Sequence, residues 1–258
     1  MKKDKIIAVS TASYLLFIIL WTVSHAVVTY GGILQEGIYL LLFYFLFIAV
    51  SGIIVPMKIT DVYGFDLNDP VSDDFTTGGV ISFIVALTIG IFMSGTAEII
   101  IKSPPRAVTV LKYAMLFIPM AFAISTQILF LIPRIIERTA GTGIRSYMAS
   151  VLIPSVLLGV GFFAGSLFTE IKVALSFIFL GLFLTIGAVL TRSFYMTTIA
   201  LSLLIFTKGL AEGKHFNTPW WMVITGFLVF SVTFARYFMN NLRYIAGNSE
   251  PGAKAGLT

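Results

Sequence analysis

Long apolar runs alternate with short polar interruptions along almost the whole chain. A helix that crosses a bilayer needs roughly 20 apolar residues, because each residue rises about 1.5 Å and the hydrocarbon core is about 30 Å thick. Eight stretches reach that length: 6–30, 38–57, 79–101, 107–133, 146–168, 171–191, 193–212 and 219–241. Most are apolar all round, so helical period does not separate a lipid face from a buried one. The breaks are more legible. Gly31-Gly32, Pro104-Pro105 and "RTAGTG" at 138–143 separate spans. In "NTPWW" at 217–221, Thr218 reads as a helix cap and Pro219 as the first helical residue, followed by interfacial tryptophans. The turns near 169–171 and at 192 are short enough that the sixth and seventh spans can also be read as one, giving seven. The expected fold is all-α: a polytopic membrane bundle over 1–258 with no soluble domain, an acidic loop at 58–78 and a flexible tail at 244–258.

Composition supports that pattern. The 258 residues are 58% hydrophobic and 11% charged, with a mean hydropathy of +0.98. Soluble domains carry about a quarter charged residues, so lipid is the solvent for most of this chain. The absence of cysteine excludes disulfides, thiol nucleophiles and Cys-ligated metal. The basic start "MKKDK" precedes an apolar run too long for a signal peptide, which is read as a retained first span. The net charge of +5 is spread over short loops and suits anionic headgroups, not nucleic acid.

Charge also sets an expected orientation. With the N-terminus cytoplasmic, eleven Lys and Arg residues fall on the inner side and six on the outer. Both termini are therefore expected in the cytoplasm of a cell-membrane protein. The same topology brings Trp21, Trp220, Trp221, His25 and His215 to the outer boundary.

Candidate polar chemistry gathers at that boundary. Ala86, Gly90 and Ser94 form a small-residue stripe that Glu98 continues, which turns Glu98 toward protein. Lys112 stands at similar depth on the next span, within reach of Glu98. Lys208 and Glu212 are spaced to pair on one helix face. Beyond Pro119, Ser125, Thr126 and Gln127 make the fourth span the best candidate for lining a polar path. Glu98, Lys112, Gln127, Lys208 and Glu212 thus form a candidate polar cluster or pore, and boundary anchoring is the plainer reading of the charged four. His25 and His215 are the only histidines and are candidate haem or metal ligands. On the inner side Arg134, Arg138 and Arg145 form a basic rim for anionic lipid.

Several chemistries drop out. The acidic run "DVYGFDLNDPVSDD" resembles the Mg²⁺-diphosphate motifs of membrane prenyltransferases in composition, but no Asp follows Asp74 to supply a second motif. It also lacks the glycine of an EF-hand loop. Gly141 and Gly143 follow no strand, so they are no phosphate loop. No nucleophile–base pair and no HExxH is present. The expected function is a non-catalytic multi-pass subunit of a larger membrane complex, with small-residue faces and the acidic loop docking partners. Gly161-x-x-x-Gly165 is a close-packing face for either a helix of the same bundle or another subunit. Lipids and other membrane subunits or further copies of the chain are the expected partners. The alternative is a channel or carrier with a polar path along the fourth span. A third reading is a b-type haem subunit held by His25 and His215; otherwise no cofactor is expected.

Overall fold

The computed structural model describes residues 3–30, 38–64, 73–94, 106–141, 143–212 and 219–248. These form eight helices and no sheet. They are α1 (Lys3–Tyr30), α2 (Leu40–Tyr63), α3 (Asp73–Ser94), α4 (Ala107–Ala140), α5 (Ile144–Gly165), α6 (Ile171–Thr191), α7 (Phe194–Glu212) and α8 (Trp220–Asn248). The first six contain stretches long and apolar enough to cross a membrane, and α7 and α8 carry shorter apolar stretches, Phe194–Gly209 and Trp220–Arg236. The chain is an integral multi-pass membrane protein.

The spans read from hydropathy overlap these helices, with two instructive extensions, and residues 95–101 of the third expected span lie outside the described residues. α2 continues to Tyr63, where Gly64 closes it in the left-handed conformation (φ 63°). α3 begins at Asp73. The ends of the predicted acidic loop are therefore helical, and 65–72 lie outside the described residues, as do residues 249–258 of the tail. The possible merger of the sixth and seventh spans does not occur. Arg192 adopts a left-handed conformation (φ 48°), donates its N–H to Ala188 and ends α6 before α7 starts at Phe194.

Two helices change hydrogen-bonding register within the bundle. α2 is π-helical over Leu40–Ile54, and α4 over Ser125–Leu131. Each π segment passes into an α segment whose second residue is proline, Pro56 and Pro133. Proline has no N–H to donate, so it falls where the ladder is already interrupted. In the π segment of α2 the buried positions come in groups that start four residues apart, Phe43/Tyr44, Phe47/Ile48/Ala49 and Ser51/Gly52/Ile53. That four-residue spacing is wider than the 3.6 of an α-helix, and it presents a broad inner face.

α4 is the centre of the bundle, packed against α1, α2, α5, α6, α7 and α8. Its residues from Pro119 to Leu131 are all buried. Hydrocarbon is as apolar as leucine, so burial alone does not drive helices together in lipid. Close contact and interhelical hydrogen bonds do. Ser82 Oγ donates to the Phe183 carbonyl at 2.7 Å, joining α3 to α6. Tyr14 donates to the Leu157 carbonyl at 2.9 Å, joining α1 to α5. Ser155 and Thr185 hydroxyls meet at 2.7 Å between α5 and α6.

The closest contacts set aromatic rings on glycines. A Cβ added at Gly165 would stand 2.6 Å from Trp21 Nε1, and one at Gly161 would stand 2.8 Å from the same indole. Gly226 lies under the Tyr44 ring, Gly187 under Phe83 and Gly209 under Phe117. Small-residue faces proposed from sequence as possible docking surfaces are thus filled from within the chain. Gly161 and Gly165 face α1, and Gly90 faces Leu204 of α7 and Leu180 of α6. Trp21 is 1% exposed and enclosed by Phe17, Phe47 and Phe162. Leu15 and Ile19 on α1, Ile81 and Ile84 on α3, and Leu175 and Phe179 on α6 remain exposed and face lipid.

Gly52 tests this packing where no side chain can yield. Its added Cβ would lie 2.3 Å from Ala123 Cβ and 3.0 Å from Ala123 Cα, where α2 crosses α4. Gly52→Val is expected to cost about 1–3 kcal/mol or more, measured as a loss of unfolding free energy in mild detergent. An unchanged value would contradict the observed crossing.

Candidate functional site

Antiparallel succession sorts the helix ends onto two faces of the bundle. One face holds the ends of α1, α3, α5 and α7 and the starts of α2, α4, α6 and α8. All of these helices except α3 and α8 border a cavity of about 310 Å³ at that face. Its lining is largely aromatic and apolar.

The cavity wall is a continuous run of rings. Lys208 on α7 places Nζ 4.7 Å from the Phe177 centroid. Phe177 stacks on Phe162 with centroids 3.4 Å apart and planes within 8°. Phe162 meets Trp21 edge-on at 5.1 Å, and Trp21 packs on Phe47 at 5.5 Å. Phe47 in turn meets Phe43, which stacks on Tyr39 at 5.0 Å. All but Phe47 border the cavity. A cation held over an aromatic face contributes about 0.5–2 kcal/mol, depending on how dry the site is. Lys208 therefore extends across the bundle to α6, where snorkelling along its own helix would have carried it to the headgroups.

Polar groups gather at the mouth. His25 stands one helical turn beyond Trp21, so both lie on the same face of α1 and both border the cavity. Lys208 is joined there by Ser166 and by Glu170, which precedes α6. Trp21 is nine residues from the end of α1, about 14 Å along that helix, and it lies level with Gly165, the last residue of α5. The result is an amphipathic pocket with a charged mouth and an aromatic interior.

The predicted site residues separate in this structure. Lys208 and His25 come together at the cavity. Lys112 lies at the same face but reaches Trp220 of α8, with Nζ 5.9 Å from the ring, and does not border the cavity. Gln127 is wholly buried and accepts a hydrogen bond from Ser13 at 3.2 Å. Ser125, Thr126 and Gln127 have no exposed surface, so this part of α4 borders no open aqueous path in this conformation. Glu98, His215 and the side chain of Glu212 lie outside the described residues. Among the described residues no group of three or more metal-ligating side chains converges.

At the opposite face the basic rim is partly committed to the bundle. Glu137 lies 3.7 Å from Arg134 and 3.6 Å from Arg192, which links α4 to the α6–α7 turn. Arg138 donates to the Tyr63 carbonyl of α2. Arg145 is exposed.

Glu170 and the rings Phe162 and Phe177 were not identified from the sequence. Glu170 did carry a signal, since it is the sole acidic residue between Glu137 and Glu212 and stands in a membrane turn. The phenylalanines carried none among 24 of their kind. No family model matches the chain, and neither a curated protein nor a solved structure is significantly similar to it.

Because the chain has no native cysteine, single cysteines can map access to the cavity. Val173→Cys, which borders it, is expected to react to completion with a water-soluble methanethiosulfonate. Ser125→Cys, at 0% exposure, is expected to stay unlabelled in the folded protein. Equal labelling of the two would refute an open cavity above a closed centre.

Proposed function

We propose that this protein binds a small amphipathic molecule within the membrane, its polar head at His25, Glu170 and Lys208 and its apolar body among the aromatic rings. The observation that carries this reading is the pairing of a charged mouth with an aromatic cavity of about 310 Å³. Pockets of about 300–1,000 Å³, mostly apolar with a few convergent polar groups, are the usual form of ligand sites. This favours the carrier branch of the two leading sequence readings. A docking subunit would need outward small-residue faces, whereas Gly90, Gly161 and Gly165 all meet side chains of the same chain.

The proposed placement is a cell membrane crossed eight times, with both termini cytoplasmic and the cavity opening outward. The unequal distribution of Lys and Arg supports that orientation. On this placement the ligand enters from the outer leaflet or the outer aqueous phase.

Trp21 supplies a direct test, since it borders the cavity and is shielded from bulk lipid. Trp220→Phe and Trp221→Phe together leave it as the only tryptophan. In phosphatidylcholine nanodiscs, dibrominated stearic acid is expected to quench Trp21 fluorescence saturably. Val173→Phe, which fills part of the cavity, should weaken the apparent affinity at least about tenfold, equivalent to about 1.4 kcal/mol. Quenching that rises linearly and is unaffected by Val173→Phe would reject the proposal.

A further inference from the structure

The turn between α5 and α6 borders the cavity and is built in an unusual way. Leu167 (φ 55°) and Phe168 (φ 62°) are both left-handed. Phe168 N–H donates to the Phe163 carbonyl at 2.9 Å, and Leu167 N–H to the Ala164 carbonyl at 3.0 Å. The Phe168 ring also packs edge-on against Phe163 at 5.3 Å. These are the two hydrogen bonds and the apolar contact of a Schellman closure. Glycine ordinarily takes the left-handed position after the last helical turn, because any Cβ there crowds the backbone. A bulky residue in that conformation is a steric outlier. The turn itself therefore gives no reason for leucine.

The cavity does give one. Leu167 borders it on the same turn as Ser166 and Glu170, two of the polar residues of the mouth. Strained backbone held by its surroundings tends to sit where a side chain is needed for function. Resting on the reading of this cavity as a ligand site, we infer that Leu167 is a specificity-determining residue. Its side chain closes the cavity over the apolar segment that adjoins the ligand's polar head. The ligand class this fits is an amphipath with a flexible apolar chain next to a compact head. A ligand with a second polar group at that level would be rejected, since Leu167 offers it no partner.

Relief of strain and loss of binding should then go together, a combination that general damage does not produce. In the background with Trp21 as the only tryptophan, Leu167→Gly and Leu167→Asn suit the left-handed turn, whereas Leu167→Ala keeps the crowded Cβ. The glycine and asparagine variants are expected to melt about 2–4 °C higher than the parent, and the alanine variant no higher. All three should bind dibrominated stearic acid at least about tenfold more weakly in the Trp21 quenching assay. Undiminished binding by the glycine variant, with Val173→Phe still impaired, overturns the role of Leu167 and leaves the cavity reading intact. A glycine variant that melts lower also overturns it, because leucine would then be kept for packing. Absence of saturable quenching in the parent overturns both.

Discussion

Rings seated on backbone that lacks a Cβ hold this bundle together. In water the burial of leucine and phenylalanine would itself assemble eight helices, but in hydrocarbon that drive is nearly absent. What remains is dispersion between surfaces that fit, and it weakens quickly as a gap opens. Gly161 and Gly165 on α5 give the Trp21 indole a flat seat, and Gly226 on α8 does the same for Tyr44 of α2. Where two backbones must come closest, at Gly52 against Ala123, neither partner is larger than alanine. These contacts join α1 to α5, α8 to α2 and α2 to the central α4, and a few hydroxyl-to-carbonyl hydrogen bonds add direction.

The cavity follows from the same packing. Trp21 lies flat against α5 and meets Phe162 edge-on, and Phe162 stacks in turn on Phe177 of α6. Large rigid rings arranged in this way leave space above them toward the rim. Lys208, His25 and Glu170 occupy the top of that space. The opposite face has a different character. There Glu137 lies between Arg134 and Arg192 and ties helix ends together. One face of the bundle is fastened by charge, and the other is opened by aromatic packing.

The sequence made the helices plain because length and hydropathy are local properties. Eight helices appeared, six of them with stretches long and apolar enough to cross a membrane, and the disputed break at Arg192 is a real helix end with a left-handed residue. The extension of α2 to Tyr63 was missed because Lys58 and Asp61 look like loop residues, although a helix can carry them past the hydrocarbon. Close-packing glycines were legible at 161 and 165, but their partner was not. The charge-derived topology brought Trp21 toward the outer boundary, but only the fold shows α5 lying across it. Of the candidate cluster, Lys208 and His25 meet at one cavity, whereas Lys112 turns to Trp220 and Gln127 to Ser13. Which charged side chains converge depends on helix rotation, and stretches apolar on every side carry almost no record of it.

The contact between Trp21 and Gly165 can be isolated by a double-mutant cycle. Unfolding free energies in mild detergent would be measured for Gly165→Ala, for Trp21→Leu and for the two combined. If the indole rests on bare backbone, Gly165→Ala costs about 1–3 kcal/mol beside tryptophan and little once leucine has replaced it. The same cost in both backgrounds would contradict ring-on-glycine packing as the basis of this fold.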